Sequence, residues 1–164
     1  MNGTLTRRTP LKRKRDTARR RFAVPPALQC VDKRCRKVAT VLDWCMTHAR
    51  AEADRLFSRY VRLRDGQCMV CGGPETSIDG LQCSHIIPKS RSDAVRWDPQ
   101  NAVAAHMTCH FNTTNHPAGW DAWALGFLGD QLYGALHHKA RRGGRPDVGW
   151  VILELRKRLE GLAA

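Results

Sequence analysis

The stretch CSHIIPKSRSDAVRWDPQNAVAAHMTCH, residues 83–110, holds three of the chain's seven histidines, His85, His106 and His110, with Asn101 between the first two. Just upstream, CMVCGG sets Cys68-x2-Cys71 ahead of two glycines, and HMTCH sets His106-x2-Cys109. Two pairs at that spacing suit tetrahedral zinc, because each pair grips from a tight turn and the metal closes the loop between them. If Cys68, Cys71, His106 and Cys109 are spent in this way, His85, Asn101 and His110 are left over. Whether these three hold the fold together or perform chemistry is not decided by spacing alone.

A second group lies nearer the N-terminus: Cys30-x4-Cys35-x9-Cys45-x2-His48. It offers the same kind of ligands, and in so short a segment bound zinc would supply the folding energy. The expectation is therefore about two structural zinc ions, with Cys83 as the cysteine outside both sets. Seven cysteines fit a complete disulfide framework poorly. No apolar secretory core is visible at the N-terminus, so a reducing, cytoplasmic setting is expected. The Arg-rich, acid-poor start also fits an organellar transit peptide.

The elements that must position these residues follow from periodicity. LQCSHIIP and NAVAA read as two strands, and HMTCHFNTT begins a helix that carries His110 one residue past a zinc ligand, on a different face. A strand histidine, a strand asparagine and a helix histidine can then converge on one point. Residues 49–65 read as a helix with Ala53, Leu56, Phe57, Tyr60 and Val61 on its apolar stripe, Arg55, Arg59 and Arg62 on another face, and Gly66 at its end. The last third reads as helices, with a stop at Gly129, a new start at Asp130, and a final helix capped by Asp147. That helix buries Val151, Leu155, Leu159 and Leu162 and pairs Glu154 with Arg158. The five tryptophans are expected in the core, and His137 and His138 in solvent.

The net charge of +13 on 164 residues points to a polyanionic partner, most simply nucleic acid, with an anionic membrane surface or a merely basic exterior as competitors. No apolar run reaches the roughly 18 residues that a spanning helix needs. Residues 1–26 carry nine Lys or Arg against Asp16 and read as a disordered basic arm, with Arg7, Arg8, Lys12, Arg13, Lys14 and Arg15 set for phosphate contact. Lys89, Arg91 and Arg96 lie between the two strands, where a phosphate backbone could pass.

Taken in order, Cys68-x2-Cys71, His85-Ile-Ile-Pro, Asn101 and His106-x2-Cys109-His110 resemble the HNH, or ββα-metal, nuclease family in its zinc-stabilised form, over about residues 66–116. The earlier cluster, basic arm and helical tail are similar, more loosely, to the phage NinG (Rap) recombination nucleases. The resemblance implies an α+β fold: a small zinc-stapled ββα-metal core with an N-terminal Cys3His finger, a connecting helix and C-terminal helices. Its layout would be a basic arm at 1–26, a finger at 27–50, a helix at 51–66, the core at 67–116 and a helical extension at 117–164. The motif implies His85 as the general base toward water, and Asn101 as the residue that holds the imidazole or the loop facing it. His110 would ligate one catalytic Mg²⁺ or Mn²⁺.

The implied activity is DNA endonuclease cleavage to 5′-phosphate and 3′-hydroxyl ends, on duplex or branched DNA, in phage-type recombination or DNA processing. The setting would be the bacterial host cytoplasm if the chain is phage-encoded, and a homodimer is left open. The sequence departs from the family's pattern at Ser84, where many members place an Asp or His metal ligand, and at His106, where cysteine is usual. With serine at position 84, the cation would be held by His110, phosphate oxygens and water, with help from Cys83, Asp79 or His116, although a buried structural thiol is the simpler role for Cys83. A non-catalytic zinc module that binds nucleic acid, or an adaptor in a nucleoprotein machine, is the competing function. It leaves His85, Asn101 and His110 without a purpose.

Overall fold

The computed structural model describes residues 28–74 and 77–163. The basic arm, with Arg7, Arg8, Lys12, Arg13, Lys14 and Arg15, lies outside the described residues. The elements run α1 (Met46–Asp65), β1 (Leu81–His85), β2 (Ala102–His106), α2 (Met107–Asn115), α3 (Pro117–Arg142) and α4 (Val148–Ala163), with short 3₁₀ turns at Ile78–Gly80, Asp93–Val95 and Pro99–Asn101. This is a small α+β unit. No helix among the described residues is long and apolar enough to cross a membrane.

Helix α1 forms because Ala49, Ala53, Leu56, Phe57 and Val61 recur at helical spacing and are all buried. Gly66 ends it in a left-handed conformation (φ 67°), with its N–H donating to Arg62 O at 3.0 Å. The helix starts at Met46, directly after an extended Cys45, so His48 sits on its first turn. Finger and helix, expected to meet near residue 51, thus overlap through the Cys45–His48 pair.

The two strands pair antiparallel, with Cys83 opposite Ala104 and His85 opposite Ala102. The end of α1 serves the outer edge of β2 as a third strand would. Asp65 Oδ2 accepts from Ala104 N at 2.7 Å, and Arg64 donates to Ala102 O at 2.8 Å and to Pro99 O at 2.7 Å. Met69 N donates to Ala104 O at 2.9 Å.

One core joins α1 and the ribbon to α4 through Val148, Val151, Ile152 and Leu155, so the C-terminal helix completes the main core. Asp147 Oδ1 caps α4 by accepting from Trp150 N at 3.0 Å, and Arg158 Nε donates to Glu154 Oε1 at 2.8 Å. The expected stripe is shorter than its pattern: Leu159 packs at the core's margin and Leu162, near the helix end, is exposed. Trp150 is also exposed, at 64%, because it lies about 200° around the helix from Val148. A second core sets Ile86, Ile87, Val95 and Val103 against Trp120, Ala124 and Leu136 of α3. Helix α3 breaks at Gly129 (φ 74°, ψ 160°), the expected stop.

Candidate functional site

The central Cys/His group is assembled from two tight turns. Gly72 (φ 68°) turns the chain so that its N–H meets Cys68 O at 2.9 Å, which sets Cys68 and Cys71 on one side of a knuckle. The other pair straddles the start of α2, with His106 at the N-cap and Cys109 in the first turn. All four ligand atoms lie within 4.8 Å of one another. Cys71 Sγ and His106 Nδ1 are 3.4 Å apart, and His106 N donates to Cys68 Sγ at 3.3 Å. Burial opposes a Cys68 thiolate, but N–H donors from Cys71, His106 and Val70 outweigh it and lower the thiol to about 7. Three sulfurs and one imidazole at this separation are a donor set that fits tetrahedral zinc.

Beside this staple, α1, β1, the loop after β1, α2 and α3 enclose a cleft of ≈ 590 Å³. His85 and His110 both line it. His85 Nε2 lies 3.0 Å from Arg96 O. A carbonyl only accepts, so the proton sits on Nε2 and the lone pair on Nδ1. Burial lowers the pKa of His85, with Lys89 and Arg96 adding to the effect while the Arg96 carbonyl and Asp54 oppose it. The imidazole is therefore neutral at physiological pH.

Asn101 is fully buried in the turn just before β2, one residue earlier than the strand position expected for it. Its Oδ1 accepts from Ile87 N at 2.7 Å, and its Nδ2 donates to Ile87 O at 3.0 Å and Val95 O at 2.8 Å. It thus ties the two ends of the 87–95 loop, which leads to the carbonyl facing His85. Ser84 is buried, and its hydroxyl lies 2.8 Å from His110 Nδ1.

Residues 68–116 match the family model described as HNH endonuclease. This segment is an HNH domain. No curated protein and no solved structure matches the chain.

Around the HNH domain the other expected residues divide. The N-terminal group, Cys30, Cys35, Cys45 and His48, also has its ligand atoms within 4.8 Å of one another, with Cys35 Sγ and Cys45 Sγ 3.8 Å apart. Zinc bonds to sulfur of about 2.3 Å give a tetrahedral edge of about 3.8 Å, so this set fits zinc as well. Lys89 and Arg91 are exposed at the rim of the cleft. Arg96, expected at phosphate, has its guanidinium engaged by Asp54 instead, through Nε at 2.9 Å and through Nη2.

Of the helpers considered for His110, Cys83 lines the cleft but burial pushes its thiol up to about 12, so it stays protonated. Asp79 is largely exposed and pairs with Arg62, and His116 lies in a separate hollow beside Cys109.

Two more placements in the cleft went unforeseen. Ser84 is a partner of His110, and its position directly before the first histidine was the available signal. His137, expected in solvent, turns into the cleft, because the helix sets it one turn after Tyr133, whose ring centroid is 4.2 Å away. His138 does face solvent.

Proposed function

We propose that the chain is a metal-dependent DNA endonuclease that hydrolyses phosphodiester bonds to 5′-phosphate and 3′-hydroxyl ends. The observation that carries this is a buried His85, with Nε2 against the Arg96 carbonyl, in the same cleft as a His110 beside the Ser84 hydroxyl. His85 Nδ1 takes a proton from the attacking water as the water oxygen bonds to phosphorus; the bond to the 3′-oxygen breaks, and that oxygen takes a proton from solvent to become the 3′-hydroxyl. Asn101 keeps the loop that faces the imidazole in place. His110 holds a divalent cation, Mg²⁺ or Mn²⁺, which when bound neutralises the phosphate and stabilises the leaving oxygen. Lys89 and Arg91, at the rim, receive flanking phosphates, and the arm with Arg7, Arg8, Lys12, Arg13, Lys14 and Arg15 adds sequence-independent contact. Cys68, Cys71, His106 and Cys109 hold a structural zinc that keeps α2 against the knuckle, and the N-terminal group holds another.

Nicking of supercoiled plasmid with Mg²⁺ or Mn²⁺ tests this. His85→Ala and His110→Ala should each lose on the order of 10²–10⁴-fold in rate. Full cleavage by both folded variants would overturn the site assignment. A wild type that binds DNA but never cuts it would favour the zinc-dependent binding module. Action on branched DNA in phage-type recombination rests on the looser NinG resemblance, and rates on linear duplex, forks and four-way junctions decide it.

A further inference from the structure

The carbonyl that fixes the His85 tautomer belongs to the peptide bond joining Arg96 to Trp97. Both flanking side chains reach out of the HNH domain to one carboxylate, Asp54 on α1. Its Oδ1 accepts from Arg96 Nε at 2.9 Å and from Trp97 Nε1 at 2.9 Å, while Oδ2 accepts from Arg96 Nη2. Lys89 Nζ stands 3.6 Å from Oδ2. We propose that Asp54 is a positioning residue for the catalytic base, holding the Arg96–Trp97 peptide from both sides so that its carbonyl fixes the His85 imidazole with the lone pair on Nδ1. This rests on the reading of His85 as the base.

The geometry separates Asp54 from an ordinary loop staple. Asn101 ties Ile87 and Val95, one residue short of the carbonyl in question. Asp54 hydrogen-bonds the side chains on both sides of that peptide, and it also lines the cleft. Phe57, one turn along α1, sets its ring 5.6 Å from the His85 ring, so a single helix face supplies both the anchor and the apolar wall.

Asp54 also balances charge. Lys89 and Arg96 are the cations that act on the imidazole, and Asp54 is the anion that opposes them. From the other elements around the cleft, α2 brings His110, α3 brings Asp121 and His137, and β1 brings the protonated Cys83. A bound phosphate can draw Lys89 away, since that ammonium is half exposed, whereas Arg96 stays with Asp54.

The experiment uses the full zinc-loaded chain. Asp54→Asn keeps the shape but removes the charge, leaving Arg96 with its 3.9 Å contact to Asp93 and Lys89 without the Asp54 carboxylate. It should lower kcat roughly 10–100-fold with KM little changed, the scale typical of residues that orient a reacting group, and move the acid limb of the cleavage–pH profile to lower pH. Asp54→Ala should lower kcat at least as far. A readout independent of cleavage is the ¹⁵N spectrum of the histidine side chains. Wild-type His85 should be protonated at Nε2 alone, and Asp54→Ala should give mixed tautomers. The proposal is overturned if His85 keeps one tautomer in Asp54→Ala and the pH profile of Asp54→Asn superimposes on the wild type. If the wild type never cuts, the endonuclease reading falls, and the tautomer comparison still decides what Asp54 does.

Discussion

The two Cys/His groups present the same four donors but sit in different surroundings. Around the N-terminal group the described backbone forms isolated bridges, Gln29 with Val38 and Val41 with Trp44, and a few turn bonds such as Cys30 N to Lys37 O at 3.0 Å; Val41 and Trp44 lean on the main core, while Val31, Val38 and Leu42 are exposed. The chain there even takes a left-handed residue other than glycine, Leu42 at φ 51°. The central group is tied more closely to the strands: Cys68 is part of the main core, the knuckle bonds to β2 through Met69, and two ligands open the helix that carries His110, although Cys71 is exposed. In the first setting zinc would stand in for a core, at roughly 10–16 kcal/mol of apparent binding energy for such sites. In the second it would fasten elements that already pack, and so fix where a reactive histidine points.

Disrupting one ligand in each group should expose that difference most sharply. Cys109→Ser should abolish plasmid nicking, because α2 loses its tie to the knuckle and His110 its place. Cys35→Ser should remove one zinc by metal analysis, from about two to about one, while nicking stays within roughly an order of magnitude of wild type. Equal losses of cleavage would show that the finger is as integral to the site as the staple.

A smaller effect concerns pH. Burial holds the His85 pKa below its usual value, so the base stays neutral as pH falls through the ordinary histidine range near 6.5. The acid limb of wild-type cleavage should therefore lie below that value, and an acid limb at or above it would contradict the buried, carbonyl-bonded imidazole. The sign is the same for stability. A depressed folded pKa contributes fully above the unfolded value and is lost as pH drops through the folded one.

Smaller again are effects on packing alone. Ile152→Ala, in the core that the central region shares with α4, should cost about 2–5 kcal/mol in denaturant unfolding. Val38→Ser in the exposed finger and Leu162→Ser at the end of α4 should each cost less than about 0.5 kcal/mol. A large cost at Val38 would mean that the finger has a core of its own.

What the sequence discloses is what depends on near neighbours. Both zinc sets are pairs of closely spaced residues, and the α1 stripe, the Gly66 cap, the Gly129 break and the Asp147 cap are each set within a turn or two. What escapes it is pairing across distance. Arg96 looks like a phosphate contact until Asp54, 42 residues away, claims its guanidinium. Ser84 looks like a lost metal ligand until α2 brings His110 to its hydroxyl. His137 and Trp150 were misplaced because a residue's side of a helix depends on what the helix leans against, and composition alone does not say. The joining of α4 to α1 is of the same kind.

The clamp at the end of α1 has a consequence for self-association. A two-stranded ribbon ordinarily has two open borders, either of which can recruit a strand from another copy. Here the polar groups along β2 at Ala102 and Ala104 are already answered by Arg64, Asp65 and Met69. Two molecules cannot extend one ribbon through that border without first prying the helix end away. A homodimer, if this chain makes one, has to be joined through some other surface, and aggregation by strand addition is blocked on the side where β2 leads into the helix of His110.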